Sequence, residues 1–157
     1  MSEKTPHGPY LDKFFPAVYR AQSGVVAHMN KIYPEVDLPE SLIELVSVRA
    51  SQLNGCSACL SIHAPAARRA GVSEGKLDIL PSWRESPDYF SEQELAALDL
   101  TEELTLLPPG RRHADAALRA CKVLAEEQVA ALEWAIILIN TFNRISIASG
   151  HPPMSKI

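Results

Sequence analysis

Proline and glycine cut this chain into runs of helix formers, and between the cuts no stretch alternates apolar and polar residues for a useful strand length. Pro16 stands at a favourable first-turn position for a helix through "PAVYRAQSGVVAHMNKIY". The apolar stripe of that helix, Val18, Val25, Val26 and Met29, predicts a buried face. Pro39 opens and Gly55 closes a second run, "LPESLIELVSVRASQLNG". Cys56 to Ala70 reads as the next helix, stopped by Gly71, with Pro65 predicting a kink or a second short segment. Ser73 opens a short helix, and "PSWRESPDYF" reads as a loop carrying Trp83. Ser91 and Glu94 match a capping box for a helix reaching about Leu107, where "PPG" breaks it. "RRHADAALRACKVLA" and "EEQVAALEWAIILINTFNRISIA" complete the pattern. The expected fold is all-α, a compact bundle of about six helices by this periodicity. It forms one domain over residues 1–157, with an N-terminal arm (1–15) and a C-terminal tail (150–157).

Charge narrows the function classes. Fifteen basic against nineteen acidic residues leave a net charge of −4, the wrong sign for a nucleic-acid footprint. The basic pairs Arg68–Arg69 and Arg111–Arg112 read as solvated helix faces. "MSEKTPHGPY" lacks the apolar segment of a secretory signal, and the longest strongly apolar run, "WAIILI", is far short of a membrane span. The expected compartment is the cytosol, with no membrane partner, where thiols are kept reduced. Three cysteines, an odd number, speak against a disulfide framework. The pair in "NGCSACLSIH" therefore needs a redox or metal explanation.

At about 100° per residue, Cys56, Cys59 and His63 fall near 0°, 300° and 340° of a helical wheel and share one face. Cys59 and His63 are spaced i and i+4, which brings imidazole and sulfur together. A neighbouring imidazole takes the thiol proton or stabilises the thiolate, the reactive form. The C-x-x-C spacing lets the second sulfur reach the first after oxidation. Glu44 lies among Leu42, Ile43, Leu45 and Val46 in a run apolar on nearly all sides, so burial is expected. A buried carboxyl needs a partner or becomes neutral. Glu44 thus suits a proton shuttle with His63 or a cysteine, while pairing with Arg49 at a helix seam is the structural alternative. The sulfur roles stay open on these grounds. Cys56 is nearer the helix N-terminus, whose dipole favours thiolate; Cys59 has the closer histidine.

Metal binding is the rival for the cysteines. Cys56, Cys59 and His63 are ligand types zinc prefers, yet a structural site needs a fourth, and all three come from one continuous segment. Among the remaining candidates, Cys121 reads as a small buried apolar residue. His7, His28, His113 and His151 read as surface or capped core, and Trp83 as a packing anchor. Asn140 and Asn143 should satisfy backbone or inter-subunit hydrogen bonds, and Arg144 could pair with a buried acid.

Glu44, eleven residues, Cys56, two residues, Cys59, three residues, His63: this pattern resembles the alkylhydroperoxidase D-like proteins of the carboxymuconolactone decarboxylase superfamily. "LVSVRASQLNGCSAC", "HAPAARRAG", "WRESPDYFSEQELAALDLTEELTLL" and "INTFNRI" carry the resemblance over roughly Phe15 to Ser149. It implies an all-helical subunit in a homo-oligomer, with thiol-dependent peroxidase activity on a hydroperoxide substrate. That chemistry needs no bound organic cofactor, no phosphate-cradling glycine loop suggests one, and no metal is assigned. It further implies Cys59 as peroxidatic thiol, Cys56 as resolving thiol, His63 and Glu44 as proton relay, and an external dithiol protein as reductant. The best-known peroxidase members carry a histidine where this chain has Ala58, so the relay is shorter here. Alternatives are a thiol–disulfide exchange protein, a lactone decarboxylase or isomerase, and a non-catalytic oligomeric scaffold.

Overall fold

The computed structural model describes residues 7–154, and those residues form helices and turns without a strand. Eight α-helices follow one another: α1 Leu11–Phe14, α2 Pro16–Glu35, α3 Glu40–Asn54, α4 Ser57–Arg69, α5 Glu74–Ile79, α6 Glu92–Leu106, α7 Ala114–Ala120 and α8 Glu126–Ser149. The all-α expectation holds, with two more helices than the six read from periodicity. One excess element is α1, a single turn inside the supposed arm, too short for a periodic signal.

Local chemistry sets most boundaries where the sequence placed them. Pro16 is in the first turn of α2, Pro39 caps α3, and the Ser73 hydroxyl accepts the Lys76 N–H at the start of α5. Ser91 and Glu94 form both bonds of the capping box on α6. Helix α4 runs through Pro65 as one segment; the missing proline N–H costs one bond at Ser61 rather than the helix. Two corrections are needed. The segment read as a loop around Trp83 is two short 3-10 turns, Leu80–Glu85 and Pro87–Tyr89. Helix α7 is half the length of the run assigned to it, because Arg111 to His113 lead in as turn and Cys121 to Leu124 leave it as turn.

Helix α3 is the axis of the bundle. Leu42 and Val46 face a core shared with Met29 and Tyr33 of α2, Leu100 of α6, and Leu132 and Ile136 of α8. Its other side, Leu45 and Val48, meets a second core of Ala67, Leu77, Leu80, Trp83 and Leu98. Burial from Leu45 to Ser51 is continuous, as expected for a helix apolar all round. Truncating a fully buried leucine such as Leu45 costs about 2–5 kcal/mol, so the position of α3 is firmly held. The stripe on α2 divides differently. Met29 is buried, but Val18 is 69% exposed and Val25 also faces outward. No helix among the described residues is long and apolar enough to cross a membrane.

Candidate active site

The cysteine pair sits in the turn that joins α3 to α4. Gly55 ends α3 in the left-handed region at φ 67°, and the Cys56 N–H donates back to the Ser51 carbonyl at 3.0 Å. That six-to-one bond satisfies an orphan carbonyl and reverses the chain within two residues. Cys56 is consequently extended (φ −85°, ψ 94°) and caps α4 instead of belonging to it, which corrects the helical-wheel reading. Its sulfur accepts the Cys59 N–H at 3.3 Å, the role a serine oxygen usually fills. The Cα atoms of Cys56 and Cys59 are 5.3 Å apart, and the two sulfurs are joined as a disulfide. They meet because a cap folds over a first turn. Both are nearly sealed, 1% and 4% exposed.

A polar network pins this turn. The Asn54 amide donates to Asn140 Oδ1 (2.9 Å) and Asn143 Oδ1 (2.8 Å), and Asn143 donates to Ser51 Oγ (3.0 Å). Asn140 also donates to Thr105 Oγ1 and to its own helix at Ile136. Within the chain these asparagines bond mainly to side chains, and Asn140 makes one of the backbone bonds the sequence suggested, to the Ile136 carbonyl. Arg144 donates to the Asn140 carbonyl and side chain instead of meeting an acid.

His63 lies one turn beyond Cys59, about 6 Å along the α4 axis. Its Nδ1 is 2.8 Å from Glu44 Oε2, so α3 supplies the carboxylate and α4 the imidazole. The competing partner is occupied elsewhere: Arg49 donates through Nε and a terminal nitrogen to Glu102 Oε1, at 3.0 and 2.7 Å. With Nδ1–H held by the carboxylate, the neutral imidazole presents Nε2 as an acceptor, and Nε2 has no partner among the described residues. Glu44 and His63 both line a cavity of about 320 Å³ between α2, α3, α4 and α8. Its other walls are largely apolar, including Val26, Leu138, Ile139 and Phe142. A wider cleft of about 880 Å³ adjoins it and shares Asn30, Tyr33, Ile43 and Glu44. Sequence reasoning missed Asn30 and Tyr33, since nothing local marks a helical residue as facing a cavity.

Elsewhere, segments 10–12 and 149–154 meet each other and α4. The Leu11 N–H donates to Ser149 Oγ (3.1 Å), His151 Nε2 meets Asp12 Oδ1 (3.1 Å), and the Met154 N–H donates to Ser61 Oγ (2.9 Å). Tyr10 stacks between His7 and His151. Burial pushes the Asp12 carboxyl up, but bonds and charge from His151 and Lys13 outweigh it and hold the group below its usual value. Ala58, Ile62 and His151 border a second cavity there.

The other residues singled out from sequence take structural positions. Trp83 is an anchor, its Nε1–H donating to Glu102 Oε1 at 2.7 Å, with Arg84 stacked on the ring. His113 pairs with Glu103 at 2.7 Å, and His28 is exposed. Cys121, expected in the core, is exposed as the residue that caps the end of α7. Among the described residues no three His, Cys, Asp or Glu side chains converge as metal ligands.

Comparison with known proteins agrees with this architecture. Residues 19–103 match the model of the carboxymuconolactone decarboxylase family. An uncharacterized Bacillus subtilis (strain 168) protein, YdfG, is 36% identical over 132 residues, which span 84% of this chain and 89% of YdfG. A crystal structure of an Agrobacterium tumefaciens protein of unknown function superimposes with a TM-score of 0.84 at 27% identity. That match covers 96% of this chain and all of the other, whose description offers antioxidant defence, as an AhpD, for its candidate role. The chain therefore belongs to the carboxymuconolactone decarboxylase family and is an alkylhydroperoxidase D-like member of it.

Proposed function

We propose that the protein is a thiol-dependent peroxidase acting through Cys59 and Cys56, with His63 and Glu44 as its proton relay. The observation that carries this reading is the Glu44–His63 pair, open to a cavity one helical turn from a cysteine that already has its resolving partner in bonding range. In the reduced protein His63 takes the Cys59 proton. The thiolate attacks the hydroxyl oxygen of a hydroperoxide; the S–O bond forms as the O–O bond breaks. The electron pair leaves on the other oxygen, which takes the proton from His63 and departs as an alcohol. Sulfur is oxidised to sulfenic acid and the peroxide is reduced. The Cys56 thiol then displaces hydroxide from that sulfur, giving the disulfide and water.

An external dithiol protein returns two electrons and two protons by exchange. The amide bond at Cys56 stabilises negative charge on that sulfur, which makes Cys56 the better leaving thiolate and Cys59 the point of attack. Such a cycle belongs where thiols are kept reduced, the cytosol. Exposed apolar side chains support a homo-oligomer: Phe14, Phe15 and Val18 on α1–α2, and Trp134 and Ile137 on α8, are each half exposed or more.

The test is thiol titration before and after one equivalent of hydroperoxide, with mass mapping of the product. Two thiols should vanish into a Cys56–Cys59 bridge, and Cys59→Ser should abolish their loss. Thiols that persist alongside stoichiometric zinc would replace this reading with a metal site. The amide-capped sulfur also favours a second reading, a thiol–disulfide exchange protein for which peroxide is incidental. That reading requires fast exchange with dithiols and no acceleration of peroxide reduction.

A further inference from the structure

We propose that Tyr33, with Asn30 beside it, is the substrate-binding group of the cavity, its phenol O–H donating to the hydroperoxide oxygen that leaves as alcohol. This rests on the peroxidase reading and deepens it. Tyr33 is 7% exposed, yet its hydroxyl has no hydrogen-bond partner among the described residues. Nor is it sealed in: among the described residues no fully buried side-chain nitrogen or oxygen lacks a partner. The hydroxyl thus keeps some accessible surface, and Tyr33 lines the cavity together with Glu44. A buried tyrosine ordinarily finds a partner for its O–H, and one without a side-chain or backbone partner at a cavity wall is placed to donate to a ligand.

The other polar wall groups do not compete. Ser23 donates to the Tyr19 carbonyl at 3.1 Å and Ser47 to the Ile43 carbonyl at 2.9 Å, each spending its proton on its own helix. Asn30, at i−3 from Tyr33, shares its face of α2, and its amide is likewise without a partner among the described residues. Burial pushes the Tyr33 phenol up to about 12, so it remains a donor across any working pH. As the O–O bond breaks, charge gathers on the departing oxygen, and a fixed donor binds that anion more strongly than the neutral peroxide. His63 supplies the proton; Tyr33 holds the oxygen that receives it. The apolar walls accommodate whatever the oxygen carries.

The experiment follows both half-reactions by stopped flow. Reduced protein is mixed with tert-butyl hydroperoxide, and disulfide protein is mixed with dithiothreitol. Tyr33→Phe should slow oxidation tenfold or more and leave dithiothreitol reduction within twofold of the parent. Asn30→Ala, at an exposed position, should slow oxidation two- to fivefold and serves as the deciding variant if Tyr33→Phe does not fold. Oxidation of Tyr33→Phe at the parent rate, or an equal fall in both half-reactions, overturns the proposal; where Tyr33→Phe does not fold, the same outcomes for Asn30→Ala do so. A parent protein that hydroperoxide fails to oxidise instead sinks the peroxidase reading itself, visible without any variant.

Discussion

Among the described residues stand two glutamate–histidine pairs of nearly equal length. Glu44 meets His63 at 2.8 Å and Glu103 meets His113 at 2.7 Å, each through Nδ1. What surrounds them differs. Glu103 also accepts from Arg111 at 3.0 Å, and its pair ties the connection after α6 back onto that helix. The His113 bond pulls the Glu103 carboxyl down, burial opposes it, and Arg111 adds to the lowering, so the group is held below its usual value. Among the described residues Glu44 pairs with no side chain but His63, and the two border a cavity near a dithiol. A short contact is therefore not a site. A carboxylate neutralised by arginine keeps its charge and holds a loop; one that answers only to an imidazole facing empty space can pass a proton.

The widest predicted gap between the pairs is kinetic. Glu44→Gln should lower the rate of peroxide oxidation by about 10² to 10⁴, the usual worth of a positioned acid–base group, while Glu103→Gln leaves it unchanged. Stopped-flow oxidation of both variants checks this, and equal losses would erase the distinction.

Glu102 extends the comparison to an acid saturated with donors. Trp83, Arg49 and Arg84 all donate to it, and they overcome burial to hold its carboxyl low. Glu102→Gln should cost about 2 kcal/mol in denaturant unfolding, because the buried Arg49 loses its counter-ion, with peroxide oxidation unaffected. Gly55→Ala probes the turn that carries the cysteines. The added Cβ meets nothing within 4 Å, but φ of 67° imposes left-handed strain worth about 1–2 kcal/mol, measurable in the same unfolding experiment.

The smallest effect is a pH dependence at the loop pair. A carboxyl lowered on folding stabilises the native state above its unfolded value, near 4.5 for Glu103, and loses that contribution as pH falls through the folded value. The melting temperature of Glu103→Gln should sit below the parent at pH 7 and converge with it in acid. A gap that widens below pH 4 would reverse the assignment.

Much of the fold was legible because caps and breakers act within a few residues. Pro16, Pro39, Gly55, Ser73 and the Ser91–Glu94 box mark helix ends through bonds that close locally. The candidate site was legible in its membership, yet the wheel that joined Cys56 to Cys59 treated Cys56 as helical. The sulfurs meet through a cap instead, and the i, i+3 spacing serves either geometry. Longer-range choices were hidden. Whether Glu44 would take His63 or Arg49 was settled by Glu102, fifty-three residues beyond Arg49. The outward turn of Val18 and the exposure of Cys121 likewise depend on which neighbours arrive.

The sequence by itself determined the helical class, most helix ends and the C-x-x-C spacing with the histidine that follows it, because these rest on short-range sterics, hydrogen bonds and spacing. Only the tertiary structure decided which carboxylate reaches that histidine, and that the pair opens on a cavity rather than an arginine. Among the described residues it also left the Tyr33 hydroxyl without a hydrogen-bond partner at a cavity wall. Those outcomes come from packing α2, α3, α4 and α8 against one another, and packing joins residues that no local rule connects.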